Sequence, residues 1–234
     1  MDSDRCNFSF ITYALPNEEK LIKEIGKSVK NIKQKLKKEG KSLEWIVIID
    51  GDSDISDIKN ADKILHNYSE QGVSISKNKA LDETIGEWII PIDTNETLDI
   101  ESISILFNTL SQNNNINWIL SNPPSLEKQD NNYIHSGYLS ELYQQNKICI
   151  KNPNNIIIKR EFLKQSILKG WLNIPSHEDI GTLLVMSELS DGIISSLPLS
   201  IKIEKSEKID EAQSKIITLN KPFSFNKIIE IINK

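Results

Sequence analysis

The stretch Gly86-Glu87-Trp88-Ile89-Ile90-Pro91-Ile92-Asp93-Thr94-Asn95-Glu96 runs an apolar segment straight into a carboxylate, a hydroxyl, an amide and a second carboxylate. In open parallel α/β sheets ligands sit beyond the carboxyl ends of strands, and closely spaced oxygen side chains there can hold a hard divalent cation and, through it, a diphosphate. Taken alone, Asp93-Thr94-Asn95 is equally an ordinary polar turn, because Asp and Asn are favoured turn residues. Three more groups stand at comparable positions. Asp50-Gly51-Asp52-Ser53 ends the apolar run Trp45 to Ile49, Lys77-Asn78 lies near the start of a helical pattern, and Glu178-Asp179 opens another. Two acids at a helix start are also favoured simply by the positive end of the helix dipole.

The elements that must carry these residues alternate. Asn7 to Tyr13 is a β-rich run, and after Pro16-Asn17-Glu18-Glu19 the apolar positions Leu21, Ile25, Val29, Ile32 and Leu36 have helical spacing, with Gly40 as the stop. The lysines between Lys30 and Lys41 fill the remaining faces as a solvated surface. Trp45 to Ile49 reads as a strand buried on both faces. Gly72-Val73-Ser74-Ile75 reads as a third short strand, with Ser76 capping a helix through Leu81 to Ile85 and Gly86 closing it. The strand ending at Asp93 follows, then a helix on Ile100, Ile103, Phe107 and Leu110 and a strand at Asn117 to Leu120. Residues 122–155 read as long loops or a substrate-facing insertion, with a helical hint only at Tyr138 to Tyr143. Asn155 to Lys159 resumes as a strand, Arg160 to Leu168 as a helix, a further helix runs from Glu178-Asp179 to near Gly192, and Ile193 to Ile203 is β-like. This alternation points to a mostly parallel sheet flanked by helices.

At 234 residues, with 38% hydrophobic residues, the chain can bury one substantial core, most simply as a single domain. A net charge of -5, from 28 basic and 33 acidic residues mixed along the sequence, supplies no field to gather nucleic acid. No apolar run approaches the roughly 18 residues that span a bilayer, and Met1-Asp2-Ser3-Asp4-Arg5 is polar where a signal peptide is basic and then apolar, so a cytoplasmic protein is expected. Cys6 and Cys149 belong to no CxxC or Cys/His cluster, which argues against a disulfide framework or structural zinc.

The ordered set of motifs resembles glycosyltransferase family 2, nucleotide-sugar enzymes of the GT-A fold. That family's pattern has an N-terminal strand, a β-run into an Asp-Gly-Gly-Ser-like turn, an Ala-Arg-Asn-like helix start trailed by Gly-Glu-Trp or Gly-Glu-Tyr, and an apolar strand into Asp-Ala-Asp-Glu. Here these read Ile48-Ile49-Asp50-Gly51-Asp52-Ser53, Ser76-Lys77-Asn78-Lys79-Ala80-Leu81, Gly86-Glu87-Trp88 and Asp93-Thr94-Asn95-Glu96. The later Glu-Asp pair, followed by a Gly and a Pro-Leu segment, is matched by Glu178-Asp179, Gly192 and Leu197-Pro198-Leu199. The resemblance covers most of residues 7–203. It implies a Rossmann-like GT-A domain over 1–205, with a nucleotide-binding half at 7–121, an acceptor half at 122–205 and a C-terminal appendage at 206–234.

It also implies roles. Asp50 resembles the acid that accepts a hydrogen bond from the base of a UDP-type donor. Thr12 and Tyr13 match the nucleotide-facing end of the first strand loosely, since the family's Pro-Thr-Tyr-Asn is reordered, and packing is the simpler role for Tyr13. Lys77 stands where the family has Arg, offering charge without a planar bidentate fork, and an exposed lysine at a helix start is its equal alternative. Asn78 matches the family's Asn, and tying down the loop before the helix is its alternative role. Asp93 and Asn95 occupy the metal-binding Asp-x-Asp, with an amide in place of the second acid, so Mn²⁺ or Mg²⁺ is the implied cofactor. Glu96 is positioned to compensate, although its family counterpart faces away. Asp179, with Glu178 beside it, resembles the base of inverting members, which takes a proton from the acceptor hydroxyl as it attacks the anomeric carbon. His177 adjoins it. Trp171 is a sugar-stacking wall or, more simply, packing.

The leading expectation is a transferase moving a sugar from a nucleotide-diphosphate donor to a saccharide or other hydroxyl acceptor with inversion. It needs no nucleic acid and no transmembrane segment, and it is compatible with a homo-oligomer. The alternative is a catalytically weak or inactive homologue serving as a nucleotide- or sugar-binding or partner module, which Asn95 and Lys77 favour. A nucleotidyltransferase fits less well, because residues 7–18 lack the Gly-rich basic loop of that class.

Overall fold

The computed structural model of the protein describes residues 7–53, 55–121, 132–145, 147, 155–173 and 178–202. In chain order the elements are β1 (Phe8–Ala14), α1 (Glu19–Lys38) after a short 3-10 turn, β2 (Leu43–Asp50), β3 (Lys63–Asn67), α2 (Val73–Glu83), β4 (Trp88–Pro91), β5 (Glu96–Leu98), α3 (Ile100–Gln112) and β6 (Trp118–Ser121). They continue with β7 (Asn132–Ile134), α4 (Tyr138–Gln144), β8 (Ile156–Lys159), α5 (Arg160–Gln165), α6 (Glu178–Leu189), β9 (Gly192–Ser195) and β10 (Ser200–Lys202).

An eight-stranded sheet has the order β3-β2-β1-β4-β8-β6-β9-β7, and β5 pairs with β10 in a separate two-stranded ribbon. β1, β2, β3 and β4 are mutually parallel, while β8 runs antiparallel to both β4 and β6. The expected α/β sheet is therefore present, and β8 is the strand that inverts it at its centre. Because β1 to β4 share a direction, Ala14, Asp50, Asn67 and Pro91 end at one edge of the sheet.

Side-chain alternation along the strands builds a core on each face. Phe8 and Phe10 of β1 and Trp45, Val47 and Ile49 of β2 pack with α1 and α3. Ile11, Ile46 and Ile48 face the opposite way and pack with Ala80 and Leu81 of α2, Leu163 of α5 and Leu183 and Leu184 of α6. α1 buries Ile22, Ile25, Val29, Ile32 and Leu36, each worth about 1.5–3 kcal/mol against exposure. Ile22 thus takes the place expected for Leu21. The helix ends as expected at Gly40, whose φ of 72° lets Gly40 N–H reach Lys37 O and Lys41 N–H reach Leu36 O.

The third strand is Lys63–Asn67, not residues 72–75, which begin α2. β3 is an edge strand of mixed polar and apolar side chains, and that hides the period a buried strand would show. α2 starts three residues before Ser76 because Asp50 receives the N–H groups of Gln71 and Gly72 at its entrance. At its other end the helix stops at Glu83, where the Thr84 hydroxyl donates to Leu81 O. Gly86 N–H instead donates to Ser9 Oγ. The extra strand β7 and helix α4 lie within the stretch expected as loops. The expected appendage at 206–234, His177, Cys6 and Cys149 lie outside the described residues.

Candidate functional site

Asp50 ends β2 on the α2 face of the sheet and is 1% exposed. Its Oδ1 accepts from Asn67 Nδ2 at 2.8 Å and Gln71 N at 3.0 Å, and its Oδ2 from Gly72 N at 2.9 Å and the Tyr13 hydroxyl at 3.3 Å. Burial alone would raise this carboxyl. The hydrogen bonds from Gln71, Asn67, Gly72 and Ser76 outweigh that and hold it below the usual carboxylate range. Burial and the Asp50 carboxylate push the half-buried Tyr13 hydroxyl up to about 12, so it is a donor. A carboxylate offers about four acceptor positions, and here the chain's own donors occupy them.

Thr12 is not among the residues brought to this place. Tyr13 and Thr12 point to opposite faces of β1, as neighbours on a strand must. Thr12 is fully buried, and its Oγ1 accepts from Trp45 Nε1 at 2.9 Å on the α1 side.

A second cluster forms where α2 meets the N-terminus of α6. Lys77 is 3% exposed, neither solvated nor open to a ligand, and its Nζ lies 2.5 Å from Asp179 Oδ2 and 3.0 Å from Glu178 Oε1. Asp179 Oδ1 accepts from Trp171 Nε1 at 2.7 Å. Burial, and secondarily Glu178, pushes Asp179 up to about 6 against the pull of Lys77. Burial works against the Lys77 charge, but the two carboxylates prevail and hold it above the ordinary lysine value. The unit is therefore one ammonium shared by two acids, with Lys77 protonated.

Asn78 completes the cluster from the next position on α2. Its Oδ1 accepts from Trp171 N at 2.6 Å and its Nδ2 donates to Trp171 O at 3.0 Å. A side chain on Gly170, whose φ is 145°, would collide with Asn78 Oδ1, so this close approach needs glycine. Of the two roles open to Asn78, tying down backbone is the one these contacts perform, although the segment held is residues 170–171 and not the loop before α2. Trp171 is 2% exposed and is no open stacking wall.

Asp93 and Asn95 follow β4 at the same sheet edge, Asp93 partly exposed and Asn95 exposed. Glu96 is buried at the start of β5, and its Oε2 accepts from Asp93 N at 3.4 Å, so it turns back onto the backbone. Among the described residues no cluster of three His, Cys, Asp or Glu side chains could hold a metal ion. One carboxylate and one amide oxygen nevertheless fit the way Mg²⁺ is usually held, by one or two carboxylates completed with substrate phosphates and water. The residues suit an ion arriving with a diphosphate, not a preformed cage.

The pairing of Trp171 with Asp179 and the donors around Asp50 had no signal in the sequence, because neither an indole N–H nor a backbone N–H belongs to a motif. His135 is also partnered, with Nδ1 3.8 Å from Asp191 on the exposed surface. A cavity of about 870 Å³ lies between α1 and residues 55–60, lined by Lys23, Lys27, Lys30 and Lys59 among others, and contains none of the site residues. No helix is long and apolar enough to cross a membrane among the described residues.

Comparisons with known proteins bear on this arrangement. The structure of S. aureus TarS 1-349 in complex with UDP-GlcNAc is similar with a TM-score of 0.64 at 16% identity, covering 86% of this chain and 60% of that one. Glucosyl-3-phosphoglycerate synthase from Mycobacterium tuberculosis, in complex with Mn²⁺, UDP and glucosyl-3-phosphoglycerate, gives 0.58 at 16% identity, covering 86% and 73%. The S. aureus TarS structure gives 0.65 at 17% identity, covering 97% of this chain and 42% of that one. The chain thus spans about three fifths or less of the TarS structures it resembles. The likeness is one of fold, a central sheet flanked by helices in the GT-A arrangement. The comparison with curated proteins gives no match. The family model for glycosyl transferase family 2 matches residues 14–182, a span that holds Asp50, Lys77, Asn78, Asp93 and Asp179 together, and the chain belongs to that family.

Proposed function

We propose that the protein transfers a sugar from a UDP-type nucleotide sugar to an acceptor hydroxyl with inversion at the anomeric carbon. The observation that carries this reading is that Asp50 and Asp93 stand at the edge where β1 to β4 end, and that Asp50 holds the entrance of α2, the helix whose Lys77 pairs with Glu178 and Asp179, in a family 2 chain. The UDP, UDP-GlcNAc and Mn²⁺ complexes of the fold neighbours support the donor class.

In this reading Asp50 and Tyr13 meet the base. The Tyr13 contact, longest at 3.3 Å of those on Asp50, is the one a base N–H replaces. Asp93, with Asn95 beside it, would hold Mn²⁺ or Mg²⁺, and the ion would supply positive charge to the leaving diphosphate. The acceptor oxygen forms its bond to the anomeric carbon as the bond to the diphosphate breaks, and Asp179 takes the hydroxyl proton. Thr12 acts as a core residue and Asn78 as a clamp. The domain follows the span 1–205.

Calorimetry with UDP, GDP and TDP, each with and without Mn²⁺, is the test. Binding of UDP that Mn²⁺ strengthens is expected, and no binding to any of the three removes the donor site. Asn95, the exposed amide in place of an acid, favours a second reading, a homologue that binds nucleotide without transferring sugar. That reading stands if UDP binds while no UDP-sugar is turned over or hydrolysed.

A further inference from the structure

Lys77 comes from α2, Glu178 and Asp179 from the start of α6, and Trp171 from the segment between α5 and α6, yet all four side chains are buried in one cluster. Asp179 accepts from Trp171 Nε1 on Oδ1 and from Lys77 Nζ on Oδ2, while the same ammonium reaches Glu178. Asn78, adjacent to Lys77, grips the Trp171 backbone on both sides, so the two donors move as one unit. A buried ion pair adds little stability over an apolar pair of the same volume, whereas removing one partner is costly. A group assembled this way holds a charge in a fixed orientation better than it holds a fold together.

We propose that Lys77 and Trp171 are positioning residues for Asp179, the indole N–H fixing the direction of its carboxylate and the ammonium fixing its charge, with Glu178 as the competing acceptor that draws the ammonium partly away. The inference rests on the reading of Asp179 as the base. Among the described residues each oxygen carries one donor, which leaves acceptor capacity on each for a hydroxyl proton. Among the described residues the charged groups bearing on Asp179 are Lys77, across from α2, and Glu178, on its own helix; Trp171 is neutral. Loss of Lys77 disfavours the carboxylate form, and loss of the Glu178 charge favours it, so the two changes act in opposite senses.

The indole proton of Trp171 reports the state of Asp179 without any substrate. In the ¹⁵N-labelled full chain, the Trp171 indole resonance, assigned by its loss in Trp171→Phe, is expected to titrate near pH 6 and to stop titrating in Asp179→Asn. Glu178→Gln moves the inflection down and Lys77→Met moves it up, each by about one pH unit. Lys77→Arg keeps it near the wild-type position. An inflection that Asp179→Asn leaves in place, or that stays put in Glu178→Gln, overturns the inference, and the Glu178→Gln arm decides even if Lys77→Met does not fold. Turnover separates this from the reading beneath it. UDP-sugar turnover that survives Asp179→Asn removes Asp179 as base whatever the titration shows. If Asp179→Asn abolishes turnover, Trp171→Phe is expected to lower kcat about tenfold at unchanged KM for the donor, the equivalent of about 1.4 kcal/mol. An unchanged kcat in that variant removes the positioning role alone.

Discussion

Asn78 holds the backbone of Trp171 from both sides, accepting from its N–H at 2.6 Å and donating to its carbonyl at 3.0 Å, across 93 residues of sequence. Replacement by Ala leaves a partly buried amide and carbonyl unpaired, and Asn78→Ala is expected to destabilise the fold by about 2–3 kcal/mol, read from the shift in urea midpoint. Asn78→Asp, which keeps the acceptor but loses the donor, should cost less than Asn78→Ala. Equal losses would show that the clamp carries no energy through the Trp171 N–H.

Thr12 separates packing from ligand binding. Its hydroxyl accepts the buried indole N–H of Trp45. Thr12→Val orphans that donor at a cost of about 1–2 kcal/mol, and UDP affinity measured by calorimetry is expected to stay unchanged. A drop in affinity without a drop in stability would return Thr12 to the nucleotide.

Asp50 predicts an acid limit to stability. Its carboxyl is held below its ordinary value when folded, so its contribution is present above about pH 4, the unfolded value, and is lost as pH falls through the folded one. Asp50→Asn is expected to cost about 2 kcal/mol at neutral pH, because charge-assisted bonds to the α2 entrance are replaced by an amide. The loss should shrink on acidification, and a pH-independent difference in melting temperature would contradict it.

Asn95 predicts a gain. Asn95→Asp places a second carboxylate beside Asp93, and Mn²⁺ affinity measured with UDP present should rise by about tenfold, the equivalent of about 1.4 kcal/mol. Unchanged affinity would mean that residues 93–95 form a turn and nothing more.

Much of the architecture could be read from local pattern. The uninterrupted apolar run Trp45 to Ile49 announces a strand covered on both faces, and the spacing of Ile25, Val29, Ile32 and Leu36 announces a helix with one buried stripe. The order of the motifs around Asp50, Lys77, Asp93 and Asp179 likewise carries the family. β3 escaped this reading because a strand at the sheet edge is only partly covered on its two faces, so Lys63 to Asn67 mixes polar and apolar side chains without a run. The start of α2 escaped it because the acceptor that holds Gln71 and Gly72 at its entrance, Asp50, belongs to a distant element, β2.

What each site residue touches was decided by tertiary structure alone. Lys77 reads as a surface lysine in its own segment, and it becomes a buried cation because α2 and α6 pack on one face of the sheet and bring Glu178 and Asp179, 101 and 102 residues away, within reach. Thr12 and Tyr13 are neighbours whose fates divide because successive side chains of a strand point to opposite faces. Periodicity records which residues are buried, since burial follows local geometry. Hydrogen bonds and ion pairs join groups from distant elements, and only the packing of those elements selects the partners.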